Sequence, residues 1–458
     1  MSDKTHYNDN MRILLISANT EPFPEPVFPV GAVYVGNALQ CSGAQVRIFD
    51  MRHNASNSSL EKALASFRPD RIGISLRNVD NAAYPSTRFY LPAYASLVKK
   101  LRAAHPAPIL LGGPAFSLFP QEITACLGTD GGVIGDGEGA ADVFLNTGPG
   151  NIIKVQLPDL ENVAFPRNID VLFPDFRKYR TFGVQTARGC PNQCIYCTYP
   201  MLEGKRRRTR SPGIVAEEIA MLYRDFGIRN FFMVDSLFNT DEDHMANVAE
   251  KIAKQNLPIR FSCYLQPKVS DPGIFRVLKK AGCVAVDFGT DSGSPEMLAA
   301  FGKPFGINDI QKASRACLQS GIDFCHSLIL GGPGENEKTI RETVSLMDEI
   351  SPRAVIAMTG VRIYPGTWME TVAVKEGLVA AGESLFEPRF YFPQMGPSAF
   401  LKLVTDATGG RSNWFFPGKK DWGSTVGYKM LHFLYRKGPL WRTFQKVKPT
   451  NGGGAWLR

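Results

Sequence analysis

Short apolar runs alternate with amphipathic stretches in the first third of the chain, a pattern typical of buried parallel strands separated by helices. Apolar residues at helical spacing predict helices over residues 31–41, 60–67 and 94–104. The apolar runs predict five strands: Met11–Ser17, Gln45–Asp50, Arg71–Ser75, Pro108–Gly113 and Gly131–Ile134. This alternation predicts an α/β fold with a doubly wound parallel sheet at the N-terminus.

Ligands of such sheets bind beyond the carboxyl ends of the strands. Here those ends carry the loops after Ser17 and Ser75 and the turn that contains Gly112 and Gly113. No G-x-G-x-x-G motif follows the first strand, and no G-x-x-x-x-G-K-[ST] motif occurs in the sequence. NAD and ATP are therefore disfavoured as ligands.

The alternation of strands and helices recurs after residue 180. Six further strands are predicted: Phe182–Gln185, Asn230–Asp235, Ile259–Tyr264, Ala281–Gly289, His326–Gly332 and Val355–Thr359. They predict a (β/α)6 partial TIM barrel, in which chemistry lies at the carboxyl ends of the strands. Four reactive residues fall there: Cys190, Asp235, Asp291 and Glu335. We expect domains over residues 1–148 and 181–380, a linker over 149–180, and a basic, aromatic C-terminal region over 381–458.

The composition is that of a globular protein, with 458 residues, 44 % apolar and 21 % charged. No run reaches the roughly 18 apolar residues of a membrane span, and the N-terminus lacks a secretory apolar segment. We therefore expect a cytoplasmic protein.

The net charge of +9 arises entirely from residues 401–458, which also hold four of the five tryptophans. Within this tail, Lys429, His432 and Arg436 recur at helical spacing. Such a segment can lie on the inner face of a membrane or embrace a lipid-like anion. The alternative is a solvated basic face whose aromatic residues pack into the body. No recognised RNA-binding module is appended, which argues against a nucleic-acid partner.

Three of the nine cysteines form a C-x3-C-x2-C motif: Cys190, Cys194 and Cys197. Three thiolates on a short loop can hold three irons of a [4Fe–4S] cluster and leave the fourth iron open for a chelating ligand. The alternative is a zinc site, which normally needs a fourth Cys or His. Cys263 and Cys283 stand alone downstream, so the cluster is favoured.

The motif, with Tyr196 as its aromatic residue, resembles that of the radical S-adenosylmethionine (SAM) superfamily. The resemblance implies that the open iron chelates SAM, that one electron cleaves its sulfonium, and that a 5′-deoxyadenosyl radical abstracts a substrate hydrogen. It also implies an external electron donor of the flavodoxin or ferredoxin type. Further residues are implied to contact SAM: Asp235, Asp291, Ser292, Gly332 and Glu335. Asp291 stands where the family usually has Glu, and each acid has the alternative role of capping a following helix.

The N-terminal sheet resembles the cobalamin-binding domain that precedes the barrel in many radical SAM enzymes. The resemblance rests on three segments: 29–50, 68–75 and 110–138. It implies cobalamin contacts from Gly112, Gly113, Gly137 and Glu138. The D-x-H-x-x-G motif that supplies a histidine to cobalt is absent, so Arg77 is the candidate for the lower face of the corrin. The alternative is that Arg77 is a salt-bridged loop residue.

Together the two resemblances imply a cobalamin-dependent radical SAM enzyme that methylates an unactivated carbon, with the substrate between cobalt and cluster. The basic tail favours a lipid-like or anionic small-molecule substrate. One alternative is non-methylating chemistry such as ring formation or rearrangement. A second alternative, from another class, is a non-catalytic cobalamin and iron–sulfur sensor.

Overall fold

A computed structural model describes residues 11–21, 25–54, 56–140, 150–417 and 438–442. The chain divides into two compact units, Met1–Asn81 with Phe89–Gly183, and Ala82–Arg88 with Val184–Arg458. The four-part division expected from the sequence stays a prediction. Within the described ranges, none of the helices is long and apolar enough to cross a bilayer.

The first unit is built on a six-stranded parallel sheet of order β2-β1-β3-β4-β5-β6. Its strands are Arg12–Ser17 (β1), Gln45–Asp50 (β2), Arg71–Ser75 (β3), Ile109–Gly112 (β4), Gly131–Ile134 (β5) and Asn151–Lys154 (β6). Its helices are Val30–Cys41 (α1), Asn57–Phe67 (α2), Leu91–Ala104 (α3), Pro114–Leu118 (α4), Pro120–Leu127 (α5) and Ile169–Leu172 (α6). The predicted doubly wound sheet is confirmed, and β6 adds a strand from the segment expected to be linker.

The second unit is built on a seven-stranded sheet of order β17-β14-β13-β12-β11-β10-β7. Its strands, with two short ribbons, are Phe182–Val184 (β7), Ala187–Arg188 (β8), Arg208–Thr209 (β9), Asn230–Met233 (β10), Arg260–Leu265 (β11), Cys283–Asp291 (β12), Asp323–Leu330 (β13), Ala354–Thr359 (β14), Val361–Arg362 (β15), Phe390–Tyr391 (β16) and Trp414–Phe415 (β17). β10 to β14 run in parallel and in sequence order, as a partial barrel requires. The six predicted strands are present, and β17 extends the sheet beside β14.

Helices follow the strands of this second sheet: Tyr199–Leu202 (α7), Pro212–Phe226 (α8), Glu242–Lys254 (α9), Ile274–Lys280 (α10), Pro295–Ala300 (α11), Ile307–Ser320 (α12), Glu337–Ile350 (α13), Trp368–Lys375 (α14) and Gly396–Thr408 (α15). The apolar stripe of α13, with Ile340, Val344 and Met347, shares a core cluster with Leu330 of β13 and Val355 of β14. Apolar residues at this spacing lie on one helix face, so their burial fixes the helix against the sheet.

Part of the basic tail packs into the second unit. Trp414 lies in β17, and Trp441 joins a buried cluster with Ala285, Cys325 and Ala354. Arg442 forms an ion pair with Asp323, with Nε 2.7 Å from Oδ2. These two tryptophans therefore match the alternative in which tail aromatics pack into the body. The predicted amphipathic segment, with Lys429, His432 and Arg436, lies outside the described residues.

Candidate active site

The cysteine loop leaves the second sheet after β7 and is closed by the antiparallel ribbon of β8 and β9. Its backbone is fixed at three points: Cys190 N donates to Gly204 O, Cys197 N donates to Cys194 O, and Ile195 N donates to Phe301 O, at 3.0–3.1 Å. Cys190 is buried and the other two cysteines are half-buried. Local backbone bonding therefore presents all three thiols from one short loop.

Electrostatics at these thiols oppose their ionisation. Burial raises the pKa of Cys190, Cys194 and Cys197, that of Cys197 to about 12. The neighbouring thiolates raise the Cys197 pKa further, while Lys303 lowers it. Three thiolates can be held together here only if cationic charge joins them, because each desolvated anion destabilises the others. An iron–sulfur cluster, which takes each thiolate on a separate iron, fits this donor set.

No three His, Cys, Asp or Glu side chains within the described ranges are arranged to hold a single metal ion.

A buried polar cluster lies directly beside the cysteine loop. The Tyr196 hydroxyl donates to Asp291 Oδ2, and Lys303 Nζ lies 2.5 Å from the same oxygen. Lys303 Nζ also lies 3.2 Å from the Tyr196 hydroxyl and 3.8 Å from Cys194 Sγ. Burial lowers the Lys303 pKa, but Asp291 and the Cys194 thiolate raise it, with a net rise. The Lys303 ammonium therefore supplies a positive charge beside the cysteine loop.

The position of Asp291 depends on an irregularity in β12. The strand register shifts between Gly289 and Asp291, and Asp291 adopts a left-handed backbone with φ of 66°. Aspartate tolerates this conformation better than most residues because its short polar side chain bonds locally. The bulge aims the carboxylate at Tyr196 and Lys303, although Asp is shorter than the usual Glu.

Glu335 follows β13 and is buried, but one of its oxygens has no partner. Gly331 N and Gly332 N donate to Oε2, the latter at 3.2 Å, whereas Oε1 makes no hydrogen bond with any described residue. Burial raises the Glu335 pKa to about 7 despite these backbone donors. Glu335 is not the cap of α13, because Asn336 Oδ1 accepts from Lys338 N at 2.9 Å. An orphaned buried carboxyl oxygen fits a ligand that donates a hydrogen bond.

Gly332 is required by close packing. A Cβ at this position would lie 2.5 Å from Phe301 Cζ and 2.9 Å from Met297 Cε. Phe301 also contacts the Tyr196 ring edge-on, with centroids 5.8 Å apart. The glycine therefore allows β13 to approach the residues that support the cysteine loop.

Two further predicted contacts, Asp235 and Ser292, are engaged with protein partners. Asp235 accepts from Thr186 N at 2.7 Å, Thr186 Oγ1 at 2.5 Å and Ala187 N at 3.1 Å. It does not cap α9, because that role belongs to Asp241. Ser292 Oγ bonds Thr343 Oγ1 of α13 at 3.0 Å. Asp235 thus fixes the chain just before the cysteines, and contact of either residue with SAM stays a prediction.

The local sequence does not single out Lys303 as a site residue. Its contacts with Tyr196 and Cys194 span more than 100 positions, 107 and 109. The available signal was a cation just after the short helix that follows the Thr290–Gly293 element.

In the first unit, the predicted cobalamin residues lie at or just after the carboxyl ends of β3, β4 and β5. Strand order reverses between β1 and β3, which is where such sheets bind ligands. Arg77 follows β3, is exposed, and makes no ion pair or hydrogen bond with any described residue. Arg77 therefore has no salt-bridge partner among the described residues, and its contact with cobalamin stays a prediction. An exposed, unpaired cation at the switch point fits an external ligand.

The glycines in this unit allow close backbone packing. Gly113 has a φ of 94°, and a Cβ there would lie 2.6 Å from Leu76 O. Leu76 N donates to Gly112 O at 2.8 Å, which joins the loops after β3 and β4. Gly137 and Glu138 begin a 3-10 turn, where a Gly137 Cβ would lie 2.7 Å from Val35 Cγ2 of α1. These residues shape the ligand edge, and their contact with cobalamin stays a prediction.

Comparison with known proteins identifies both units. The family model of the radical SAM superfamily matches residues 184–347, and that of the B12 binding domain matches residues 16–145. Tryptophan 2-C-methyltransferase of Streptomyces laurentii is 23 % identical over 432 residues, covering 76 % of this chain and 72 % of the relative. Hopanoid C-3 methylase of Methylococcus capsulatus is 24 % identical over 372 residues, covering 74 % and 67 % respectively.

Solved structures share the fold at low identity. The radical SAM methyltransferase TsrM of Kitasatospora setae, solved with tryptophan and a SAM analogue, superposes with a TM-score of 0.83 at 20 % identity. That match covers 95 % of this chain and 98 % of TsrM. The cobalamin-dependent enzyme OxsB, with aqua-cobalamin bound, gives a TM-score of 0.70 at 14 % identity, covering 93 % of this chain and 71 % of OxsB.

Proposed function

Since the chain belongs to the cobalamin-dependent radical SAM enzymes, whose cofactors are a [4Fe–4S] cluster, SAM and cobalamin, we propose that it methylates an unactivated carbon of a small molecule. The observation that carries this proposal is the presence of a B12 binding domain and a radical SAM domain in one chain. Proteins named as methyltransferases or a methylase are similar to this chain in sequence, and a solved methyltransferase shares its fold. The sensor interpretation is set aside because these relatives are enzymes.

When bound, the cluster supplies the electron that cleaves SAM, and cobalamin supplies a carrier for the methyl group. Cys190, Cys194 and Cys197 would hold the cluster as thiolates. Lys303 balances part of their charge and offers an ammonium to a carboxylate of the cosubstrate. The free Oε1 of Glu335 offers an acceptor to its amino or hydroxyl groups. Asp235 acts indirectly, since it fixes the backbone at Thr186 and Ala187.

In the first unit, Arg77 would be the residue that faces cobalamin. Its guanidinium would supply positive charge beside the bound cofactor. The exposure of Arg77 and its lack of a described partner support this role.

A surface next to the cysteine loop supports an external electron donor of the flavodoxin or ferredoxin type. Tyr199 and Met201, on α7 directly after Cys197, are 42 % and 45 % exposed. Lys205 and Arg206 follow and are also exposed. Exposed apolar residues followed by two exposed cations suit a small acidic protein, whose charge would speed its encounter with this surface.

The substrate is proposed to have an apolar body, as expected from the sequence. The relatives act on compounds as different as tryptophan and a hopanoid, so the family alone does not choose among substrates. The basic tail favours a lipid-like or anionic substrate, and two of its tryptophans, Trp414 and Trp441, pack into the second unit. Contact of the chain with a membrane stays a prediction.

A second candidate function is radical chemistry without methyl transfer. Anaerobic magnesium-protoporphyrin IX monomethyl ester cyclase of Rubrivivax gelatinosus is 22 % identical over 382 residues, covering 75 % of this chain and 66 % of the relative. Its name indicates ring formation.

The deciding experiment incubates the anaerobically reconstituted enzyme with methyl-labelled SAM, reductant and a metabolite extract of the native host. Methylation predicts labelled product together with S-adenosylhomocysteine and 5′-deoxyadenosine. Deoxyadenosine without S-adenosylhomocysteine would favour the second candidate. Cys194→Ala should abolish the labelled product and 5′-deoxyadenosine, whereas Cys126→Ala, which changes an exposed cysteine of the first unit, should leave them unchanged.

A further inference from the structure

One face of the second sheet is covered by helices and the other is partly accessible. On the covered face, Phe288 packs against Phe275 of α10, and His326 Nε2 bonds Ser314 of α12 at 3.1 Å. Residues that alternate with these are half-buried or exposed, as expected for the opposite face of each strand. These residues are paired across neighbouring strands: Tyr264 with Asp287, Gly289 with Ser327, Ser327 with Ile356, and Ile329 with Met358. We call the surface that they form the inner face.

Trp441 closes the inner face at the amino ends of the strands. Its side chain is only 7 % exposed and packs with Ala285, Cys325 and Ala354. The Arg442–Asp323 ion pair holds the segment in place. Trp441 therefore covers the inner face at the amino ends of the strands. The face is accessible from the carboxyl ends, where the cysteine loop begins.

Asp287 lies in the middle of the inner face, two residues beyond Ala285, which packs against Trp441. Ser327 Oγ donates to its Oδ1 at 2.8 Å, and the Cys325 thiol is a second, weak donor. No Lys, Arg or His of the described residues forms an ion pair with it. Burial raises the Asp287 pKa to about 6, since two neutral donors do not compensate the lost hydration.

The surroundings of Asp287 leave room for a ligand. Gly289, the next residue toward the carboxyl end, has no atom within 4 Å of where a Cβ would stand. Ile329, Ile356 and Met358 are partly accessible on the neighbouring strands, and Tyr264 lies beside Asp287 on β11. A carboxyl among apolar groups attracts a cation and repels an anion, and the low local dielectric strengthens both effects.

We propose that Asp287 binds a cationic nitrogen of the substrate at the inner face of the barrel. The inference rests on the proposed function, which it deepens by naming the substrate class: an apolar small molecule with a protonated amine or a similar group. The apolar part lies against Ile329, Ile356 and Met358, and the nitrogen donates to Asp287. This assignment differs from the anionic substrate that the basic tail favours.

The test fractionates the host metabolite extract by ion exchange into cationic, neutral and anionic pools. Wild-type holoenzyme and Asp287→Asn are dialysed against each pool, and retained compounds are identified by mass spectrometry. The same pools are assayed with methyl-labelled SAM. Asp406→Asn, which changes an exposed carboxylate of the same unit, is the matched control. Ser327→Ala, which removes only the neutral donor to Asp287, tests the site without changing its charge.

The proposal predicts a compound from the cationic pool that wild type and Asp406→Asn retain, with affinity reduced by about tenfold or more in Asp287→Asn. Equal retention by Asp287→Asn, or no retained cation, would overturn it. Retention of such a cation without any methyl transfer would keep the assignment and overturn the proposed methylation. If only a compound of the neutral or anionic pool accepted the label, the proposed methylation would stand and the assignment of Asp287 would be overturned.

Discussion

The Lys303 ammonium lies 2.5 Å from the Asp291 carboxylate, and both side chains are nearly inaccessible, at 6 % and 5 % exposure. The pair joins the turn after α11 to the end of β12 and lies against the cysteine loop. A buried ion pair of this kind adds little net stability, but loss of one partner leaves an uncompensated charge. The pair therefore links the position of the end of β12 to the charge beside the cysteine loop.

Replacement of Lys303 by methionine should impair both binding and stability. The Lys303→Met variant keeps the volume but leaves Asp291 unpaired, so we expect a loss of about 3 kcal/mol in the free energy of unfolding. Weaker binding of SAM by about tenfold should follow, measured by equilibrium dialysis of cluster-loaded protein. Lys402→Met, which breaks an exposed pair with Asp406, should change neither quantity appreciably. Unchanged SAM affinity in Lys303→Met would remove Lys303 from the cosubstrate site.

Asp235 should matter for cluster assembly. In Asp235→Asn an amide replaces a carboxylate that accepts three hydrogen bonds, so an NH2 group opposes a backbone donor. We expect about 2 kcal/mol lower stability and a reduced iron and sulfide content per chain. The control, Asp241→Asn, alters the cap of α9 and should cost about 1 kcal/mol or less without loss of iron. Full cluster content in Asp235→Asn would contradict the anchoring role.

Asp287 should leave a signature in the pH dependence of stability. Its pKa in the folded protein, about 6, is raised above the ordinary 3.8. Its contribution to the free energy of unfolding is therefore most favourable at low pH and is lost as pH rises through about 6. Asp287→Asn should therefore gain up to about 3 kcal/mol over wild type between about pH 4 and pH 7. Cys325 lies opposite Asp287 on β13, and burial raises the pKa of its thiol further above this window.

The measurement is denaturant unfolding of both proteins across this pH range. Glu335, whose pKa is raised to about 7, changes the stability of both in the same sense and cancels in the difference. If the difference in the free energy of unfolding between wild type and Asp287→Asn does not change with pH, Asp287 is solvated in the folded protein.

Charge reversal next to the cysteine loop should slow reduction by a protein donor. In the double variant Lys205→Glu and Arg206→Glu, the encounter with an acidic flavodoxin loses its steering, so the rate of cluster reduction should fall about tenfold at low salt. Reduction by dithionite should be unaffected. Lys251→Glu, exposed on α9, serves as the control. Equal rates of reduction by flavodoxin would place the docking surface elsewhere.

The sequence predicted those elements whose signal is local. The strand Gln45–Asp50 and the cysteine loop could be located because apolar runs and ligand spacing are contiguous along the chain. β17 has only two residues and is recognisable only once β14 is present beside it. The role of Asp235 was similarly hidden, since an acid after a strand predicts a helix cap whereas its actual partner, Thr186, lies 49 residues earlier.

Lys303 and Trp441 show the same limit. Each is an ordinary residue in its local sequence, and each becomes informative through distant contacts with Asp291 and Ala285 respectively. Asp287 occupies an alternating position in β12, but only the register with Ser327 and the uncovered face reveal that it has no cationic partner.

We expect residues 190–197 to hold a [4Fe–4S] cluster with one open iron that binds SAM. Electron paramagnetic resonance of the reduced, anaerobically purified protein tests it most directly, with and without SAM and with metal content measured on the same samples. We expect about four irons and four sulfides per chain and a cluster signal that shifts when SAM is added. Stoichiometric zinc in the loop, or a cluster signal that SAM leaves unchanged, would contradict it.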